Sequence, residues 1–235
     1  MLPSVMLIVN TCLGSVQLSS GRTGPQSGVI RAAVPSDVRC LAHLCTDTFY
    51  GTHAFWNGPV IYAQHARIFK RIQRQLAVRV DESATCERQL IIAEDKSDGG
   101  LIGMVDVAVH LYDTFAERFE LGRDAMPEGG SFRFEWRPYV SSLAVQPIHR
   151  RKGVASRLMR EAERTAGLWD CERAVMLEVE TGNRRAIDFY LRQGYRVLER
   201  GGAPHTSSDH TQTVVRAGLW WAQRPVEKLL MSKDL

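Results

Sequence analysis

Residues 143–155 read L-A-V-Q-P-I-H-R-R-K-G-V-A and decide the fold class. The apolar run Leu143–Val145 predicts the end of a strand, and a proline-marked turn leads from it into a basic, glycine-containing loop that opens a helix. The first N–H groups of a helix are unpaired and carry partial positive charge, so they bind an anion where glycine lets the backbone approach. Arg150, Arg151 and Lys152 are expected to add mobile positive charge there. The stretch therefore predicts a phosphate-binding turn.

A second segment, residues 177–195, reads L-E-V-E-T-G-N-R-R-A-I-D-F-Y-L-R-Q-G-Y. It predicts a strand that ends near Glu180 and a helix that begins after Asn183, a residue type favoured as an N-cap. Tyr190 follows Asn183 by about two helical turns and is therefore expected on the same helix face. The two segments together carry the functional signal of the chain, and no internal repeat is visible.

The two segments resemble the GCN5-related N-acetyltransferases, the GNAT superfamily. The resemblance lies in R-x-x-G-x-A at Arg150, Gly153 and Ala155, and in N-x-x-A-x-x-F-Y-x-x-x-G-Y from Asn183 to Tyr195. An L-E-V strand end leading to Asn and then Tyr is similar to ribosomal-protein-alanine and other protein N-terminal acetyltransferases. The resemblance implies an α/β GNAT fold, with a mixed sheet of six or seven strands flanked by helices and two central strands splayed around acetyl-CoA.

The resemblance also implies which residues bind the cofactor. The splay leaves strand backbone unpaired, so the pantetheine arm would bond to the main chain of the first strand end, and the pyrophosphate would lie against the turn and first helical residues. The expected set is Leu143, Ala144, Val145, Arg150, Arg151, Lys152, Gly153, Val154, Ala155, Ser156, Asn183 and Tyr190. In isolation, the basic run also fits a solvated turn, and Asn183 also fits a plain N-cap.

The implied chemistry is attack of a neutral amine on the thioester carbonyl, with CoA thiolate leaving. Such a reaction needs one group to take a proton from the amine and another to return one to sulfur. Tyr190 is expected to be the general acid, because a phenol with a pKa of about 10 stays protonated next to a thiol of about 8.5. The N–H of Val145 would polarise the carbonyl. Of the neighbouring pair Phe189 and Tyr190, Phe189 is expected to be the core residue that packs between helix and sheet.

The general base is expected to be Glu178, in the L-E-V strand end. Strand alternation places Glu178 and Glu180 on one face, opposite Leu177 and Val179. A surface ion pair is the alternative role for either carboxylate. The preceding strand carries Tyr139, Ser141 and Ser142 and lacks the glutamate that histone-type relatives use, which disfavours a histone-type assignment.

Length and composition indicate one domain with extensions. The chain has 235 residues, of which 44% are hydrophobic, and a formal net charge of +4. No run approaches the roughly 18 apolar residues of a membrane span, so no membrane partner is expected. The modest charge suits an anionic cofactor and does not indicate nucleic acid. The seven histidines are scattered, so no metal is expected.

The first 36 residues contain no Asp or Glu and two arginines, Arg22 and Arg31, among many Ser, Thr and Gly residues. This composition is typical of organelle transit peptides. Residues 1–27 are therefore expected to be a transit peptide, with plastid preferred over mitochondrion, and residues 28–235 the GNAT domain. A disordered N-terminal segment on a cytoplasmic protein is the alternative.

Hydrophobic periodicity predicts the order of the remaining elements. The expected strands are Val29–Val34, Gln89–Glu94, Leu101–Leu111, Phe134–Val145, Ala174–Glu180, Tyr195–Arg200 and Val226–Lys233. The expected helices run from Ser36 or Asp37 to Thr48 and over Val60–Val80, Lys152–Leu168 and Arg184–Arg192. Tyr112–Arg133 is expected to be an insertion, and Gly201–Ala222 a loop or hairpin arm.

The resulting hypothesis is an acetyl-CoA-dependent N-acetyltransferase that acts on protein or peptide amines, either N-terminal α-amino groups or lysine ε-amino groups. Acetylation of a small amine such as a polyamine or an amino acid is the alternative within the enzyme class. A non-catalytic acyl-CoA-binding module is the alternative outside it. The combination of Tyr190 and Glu178 with the phosphate-binding turn favours catalysis.

Overall fold

The computed structural model describes residues 28–50, 58–82, 87–120, 134–200 and 227–235, and the backbone of short strands between 203 and 225. The helices are α1 (Val38–Tyr50), α2 (Gly58–Glu82), α3 (Val154–Ala166) and α4 (Arg184–Arg192). The longer strands are β1 (Val29–Ala32), β2 (Arg88–Glu94), β3 (Leu101–Asp113), β5 (Phe134–Val145), β6 (Ala174–Glu180) and β13 (Lys228–Asp234). The short strands are β4 (Arg118–Glu120), β7 (Arg196–Val197), β8 (Glu199–Arg200), β9 (Ala203–Pro204), β10 (Thr206–Ser207), β11 (Gln212–Ala217) and β12 (Trp220–Pro225).

A nine-stranded mixed sheet organises the described residues. Its main path of seven strands runs β1-β2-β3-β5-β6-β13-β10, while β4 adds to β3 and β7 adds to β13. All neighbours are antiparallel except β5 and β6, which are parallel and joined through α3. The sheet confirms the predicted mixed architecture. No helix in the described part of the chain is long and apolar enough to cross a membrane.

The two central parallel strands separate soon after they meet. Their pairing is confined to Tyr139 of β5 and Met176 of β6. Beyond that position β5 continues to Val145 and β6 to Glu180 without further pairing between them. This divergence confirms the splayed central strands that the resemblance implied.

A bulge in β5 contributes to the splay. Opposite β5, the register of β3 shifts between Met104 and Asp106, so that one residue of β3 faces two of β5. Ser142 has a φ of 54°, in the left-handed region that few non-glycine residues adopt. A bulge bends its strand and increases the local twist. The bend comes immediately before Leu143, where the expected cofactor-binding segment begins.

Helices cover both faces of the sheet, which gives a three-layer α/β/α arrangement. On one face, α3 and α4 bury a cluster that includes Leu158, Leu177 and Tyr190. On the other, α1 and α2 bury a cluster that includes Leu76 and Met104. Burial of apolar surface on both faces is the main stabilising term for such a sheet.

Three predicted elements differ from the structure. The third helix starts at Val154 rather than Lys152, because Arg151 and Gly153 have φ values of 63° and 79° that interrupt a helix. The predicted insertion begins instead as a hairpin, in which β4 pairs with the end of β3 and the Asp113 carboxylate accepts N–H bonds from the turn. The predicted strand Tyr195–Arg200 is divided into β7 and β8.

The remaining predicted elements agree within a few residues, and three have the predicted bounds: β5, β6 and α4. Between β7 and β13 the chain forms an antiparallel hairpin of β11 and β12, which agrees with the hairpin-arm alternative. The second part of the predicted insertion, residues 121–133, lies outside the described residues, as do residues 1–27.

Candidate functional site

The N-terminus of α3 has the geometry of an anion cradle. Gly153 is its N-cap in the left-handed conformation, with φ 79° and no side-chain cap, and the Arg157 N–H makes the first intrahelical bond at 3.1 Å from the Gly153 oxygen. The N–H groups of Val154, Ala155 and Ser156 therefore have no acceptor within the helix. A Cβ built at Gly153 meets no atom within 4 Å, so the space above the turn is open.

The three basic residues before Gly153 have different surroundings. Arg151 and Lys152 are exposed at the cradle. The Arg150 Nε, by contrast, donates to the backbone oxygen of Val145 at 3.0 Å. Arg150 thus ties the turn to the end of β5, and the expectation that its charge would be mobile is wrong. The exposed positive charge at the cradle comes from Arg151 and Lys152.

The expected pantetheine segment, Leu143–Val145, has one paired and one open backbone edge. On one side Ala144 and Val145 pair with β3. On the other side lies the gap left by β6. The side chains are core, with Leu143 and Val145 packed under α3 and Ala144 under α1 and α2. An open strand edge can accept an extended ligand as an added strand.

Asn183 is the N-cap of α4. Its side-chain oxygen accepts a hydrogen bond from the Ala186 N–H at 3.2 Å. The cap fixes where α4 begins at the end of β6, which places the N-termini of α3 and α4 at the same end of the splayed pair. The N-cap role considered from the sequence is therefore present.

Tyr190 lies on the buried face of α4 together with Ala186 and Ile187 and is 2% exposed. Its ring packs 5.8 Å from that of Tyr195, and burial raises the pKa of its phenol. Phe189 is only partly buried. The expectation that Phe189 would be the core member of this pair is wrong, because the helical period aligns Tyr190 with the residues that face the sheet.

Glu178 is buried, at 7% exposure, and forms an ion pair. The Lys228 Nζ of β13 lies 3.4 Å from its Oε2, and the Lys228 side chain is 1% exposed. The ion-pair alternative is thus present, although it is buried rather than at the surface. Leu177 and Val179 pack under α3 and α4, which agrees with the alternation predicted for β6.

Tyr139 is a functional candidate that the sequence interpretation missed. It occupies the one paired position of β5 and β6 and is 2% exposed, and its hydroxyl makes no hydrogen bond of normal geometry among the described residues. Burial, then the charges of Glu178 and Tyr190, raise the pKa of the Tyr139 phenol, while an interaction with the backbone of Glu178 opposes that rise. Glu178 lies on β6 two residues beyond the partner of Tyr139, so both residues lie close to the point where the strands separate. No motif in the sequence marked it, since β5 also contains other large side chains such as Trp136 and Arg137.

Replacing Tyr139 by phenylalanine should separate stability from function. A buried hydroxyl without a partner costs free energy, so Tyr139→Phe should raise the free energy of unfolding by about 1 kcal/mol. If the hydroxyl bonds a reactant, the same change should lower kcat/KM by roughly tenfold. Urea unfolding and steady-state kinetics on one preparation measure both. Lower stability with unchanged kinetics would show that the hydroxyl has a structural partner and no reactant.

A second polar network, also missed from the sequence, supports the bulge of β5. Asp106 of β3 is 2% exposed, and its Oδ2 accepts from the Ser141 hydroxyl at 3.1 Å and lies 3.0 Å from an Arg79 nitrogen. Arg79 of α2 also reaches the Ser142 hydroxyl at 3.4 Å. The network thereby joins α2, β3 and the bulged strand just ahead of the open edge.

The motif positions, the splay and the cradle coincide with one family description. The model of the acetyltransferase (GNAT) family matches residues 59–195, more than half of the chain. The chain belongs to the GNAT acetyltransferase family. The GNAT family uses acetyl-CoA, and in the described residues of this chain no group of three or more His, Cys, Asp or Glu side chains is placed to hold a metal.

Individual proteins similar to this GNAT acetyltransferase differ in function. GCN5-related N-acetyltransferase 4, chloroplastic, from Arabidopsis thaliana is 43% identical over 61 residues, which are 26% of this chain and only 21% of that protein's length. Ribosomal-protein-alanine N-acetyltransferase from Brucella melitensis has a TM-score of 0.56 at 18% identity, covering 88% of this chain and 99% of that one. A chimeric spermidine N-acetyltransferase from Vibrio cholerae and hSSAT has 0.53 at 14% identity, covering 88% and 95%. At these identities the structures show the shared fold.

Proposed function

We propose that this acetyltransferase transfers the acetyl group of acetyl-CoA to protein amines, either N-terminal α-amino groups or lysine ε-amino groups, by direct attack. The observation that carries the proposal is the splay of β5 and β6 beyond Tyr139, with Glu178 on β6 two residues past the paired position and Tyr190 on the face of α4 that packs against the sheet. In this proposal the two phenols and the carboxylate border the gap where an amine and a thioester would react.

The chain's residues fit acetyl-CoA along the gap. The open edge of Leu143–Val145 can bond the pantetheine arm through main-chain groups, and the free N–H groups at the start of α3 can bond the pyrophosphate. Arg151 and Lys152 add charge attraction for the phosphates. Asn183 caps α4 beside the gap and completes the expected binding set.

Two side chains supply the proton transfers in this proposal. Tyr190 donates a proton to the leaving sulfur, and burial keeps its phenol protonated at neutral pH by raising its pKa. Glu178 accepts the proton that the attacking amine loses, directly or through a water. The N–H of Val145 stabilises the negative charge that develops on the carbonyl oxygen. Positioning of both reactants in the gap supplies the rest of the rate enhancement.

The charges near the gap favour a protein amine over a polyamine. A polyamine carries further ammonium groups that need carboxylates with no other partner. Beside the gap, the buried carboxylate of Glu178 is already paired with Lys228, which leaves it no charge for a further ammonium group. The spermidine enzyme among the similar structures makes a small amine the second candidate, and a non-catalytic acyl-CoA-binding module is the third.

Mass spectrometry distinguishes these candidates. Residues 28–235 are incubated with acetyl-CoA and either a peptide pool or spermidine, and α-amino, ε-amino and polyamine acetylation are scored separately against an enzyme-free control. Acetylated peptides in excess over acetylated spermidine support the proposal. Acetylated spermidine with unmodified peptides would reassign the acceptor, and acetyl-CoA binding without any product would indicate a binding module.

We further propose that residues 1–27 direct the chain to plastids. The acidic-poor composition of that segment and the partial similarity to a chloroplastic relative support this. The described part of the domain begins at Gly28. This residue is buried, and its backbone oxygen accepts a hydrogen bond from Arg157 of α3. A C-terminal fluorescent fusion of the full chain in leaf cells should lie in plastids, and the same fusion without residues 1–27 should not. Identical cellular distributions of the two fusions would show that residues 1–27 do not direct the chain to plastids.

A further inference from the structure

We propose that Lys228 is a positioning residue that keeps Glu178 ionised, so that Glu178 can accept the acceptor's proton at neutral pH. This inference rests on the proposed function, because it concerns the same proton transfer. No motif in the sequence indicated Lys228. Its assignment comes from its placement on β13, the strand that pairs with β6 on the side away from the gap.

The burial of Lys228 requires an explanation. Its side chain is 1% exposed, and fully buried lysines are rare because an ammonium loses its hydration there. The Nζ lies 3.4 Å from the Glu178 Oε2, a long contact for a charged hydrogen bond. A buried ion pair with such geometry contributes little to stability, since the desolvation of both charges offsets their attraction. A role in reactivity accounts for the pair better than a role in folding.

The sheet register places Lys228 between two carboxylates of β6. Lys228 is the direct partner of Glu180 across β13 and β6, while Glu178 is opposite Leu230. Glu178 and Glu180 share one face of the strand, so both lie on the side of the sheet that carries Lys228. The ammonium of Lys228 is therefore placed beside the carboxylate that the proposal makes the base.

The other polar groups near Glu178 do not replace Lys228. From β5, Tyr139 faces Glu178 as a neutral phenol, and Arg137 is bonded to Glu135 while it lies 3.6 Å from the Met176 sulfur. From α4, Tyr190 is likewise a neutral phenol. His110 of β3 stacks edge-on against the Tyr139 ring at 5.6 Å. Among the described residues, Lys228 is the cation that contacts the Glu178 carboxylate.

The expected effect of removing this charge has a definite sign. Without the ammonium, the buried carboxyl of Glu178 favours its neutral form and ionises only at higher pH. Because the proposed reaction needs the Glu178 carboxylate, the variant should then lose activity at the acid end of the pH range. The acid limb of the kcat/KM profile should therefore move to higher pH by about 1–3 units in Lys228→Met, the range that a nearby opposite charge produces. Lys228→Arg keeps the charge and should keep the limb.

Lys233→Met is the matched control. Lys233 lies on the same strand and pairs with Glu163 of α3 at 2.7 Å, away from the gap. Its removal also breaks a lysine–glutamate pair, so it reproduces a loss of stability but should leave the acid limb in place. A fall of kcat/KM at every pH in Lys228→Met, with no movement of the limb, would mean that Lys228 is only structural and would overturn the proposal.

A titration independent of activity separates this proposal from the proposed function. Carbon-13 labelling of glutamate carboxyls, with Glu178→Gln to assign the signal, follows the protonation of Glu178 in the wild type and in Lys228→Met. A higher midpoint in the variant, together with the moved acid limb, supports the proposal. An unchanged midpoint overturns it while Glu178 remains a candidate base. A moved midpoint with an unmoved limb overturns it together with the assignment of Glu178 as base.

Discussion

Tyr190→Phe should lower kcat by about 10²–10⁴-fold, the contribution of a well-placed general acid, while acetyl-CoA binding stays within about twofold of the wild type. The hydroxyl is the part of the side chain that donates a proton, and the ring supplies its packing against Tyr195 and Phe189. Phenylalanine keeps that packing. The loss should thus appear in kcat and not in stability or in the dissociation constant.

The pH dependence adds a check on this assignment. Because burial raises the pKa of Tyr190, its phenol stays protonated through the whole neutral range and beyond its usual value. Deprotonation of Tyr190 should therefore cause no fall in activity between pH 8 and about 10. Rapid-quench or steady-state assays over that range measure it. A Tyr190→Phe enzyme with wild-type kcat at every pH would exclude Tyr190 as the acid.

Gly153→Ala should weaken acetyl-CoA binding by at least about tenfold, which corresponds to about 1.4 kcal/mol. Two effects combine at this position. The φ of 79° disfavours any residue with a Cβ by about 1–2 kcal/mol. The new methyl group would also occupy the open space above the free N–H groups, where the phosphates are expected to lie.

Comparison with Gly194→Ala isolates the effect of the new methyl group at the cradle, because that variant introduces similar backbone strain elsewhere. Gly194 also has a positive φ, 90°, in the turn after α4, and a Cβ there contacts only the flexible end of Lys233, at 3.7 Å. Both variants should lose a similar free energy of unfolding, but only Gly153→Ala should bind acetyl-CoA poorly. Equal acetyl-CoA dissociation constants for the two variants, measured by calorimetry, would show that the cradle does not bind the cofactor.

The sequence was sufficient for the elements that carry strong local signals. The bounds of β5, β6 and α4 follow from long apolar runs, a capping asparagine and a glycine after the helix, and tertiary contacts do not change them. The cradle was also predictable, because a glycine after a basic run marks where α3 begins. The start of α3 was wrong, since positive φ values cannot be read from residue types such as Arg151, and the helix ends at Ala166 rather than at Leu168.

The parts of the site that were not predictable depend on distant residues. Tyr139 became a candidate only when the register showed it at the point where β5 and β6 separate. Lys228 reaches Glu178 across 50 residues of sequence, and no pattern relates the two. The helical face of Tyr190 was predicted, but whether it or Phe189 faces the sheet depended on how α4 rotates against its neighbours.

The most direct test of the account is a crystal structure of residues 28–235 with CoA joined to a short peptide through its α-amino group. The account predicts that the pantetheine arm lies along Leu143–Val145 and the pyrophosphate at the start of α3. It also predicts that the junction lies within hydrogen-bond distance of the Tyr190 hydroxyl and that the bound peptide extends from the junction on the side of Glu178. A conjugate bound outside the gap between β5 and β6, or a junction far from Tyr190, would contradict it.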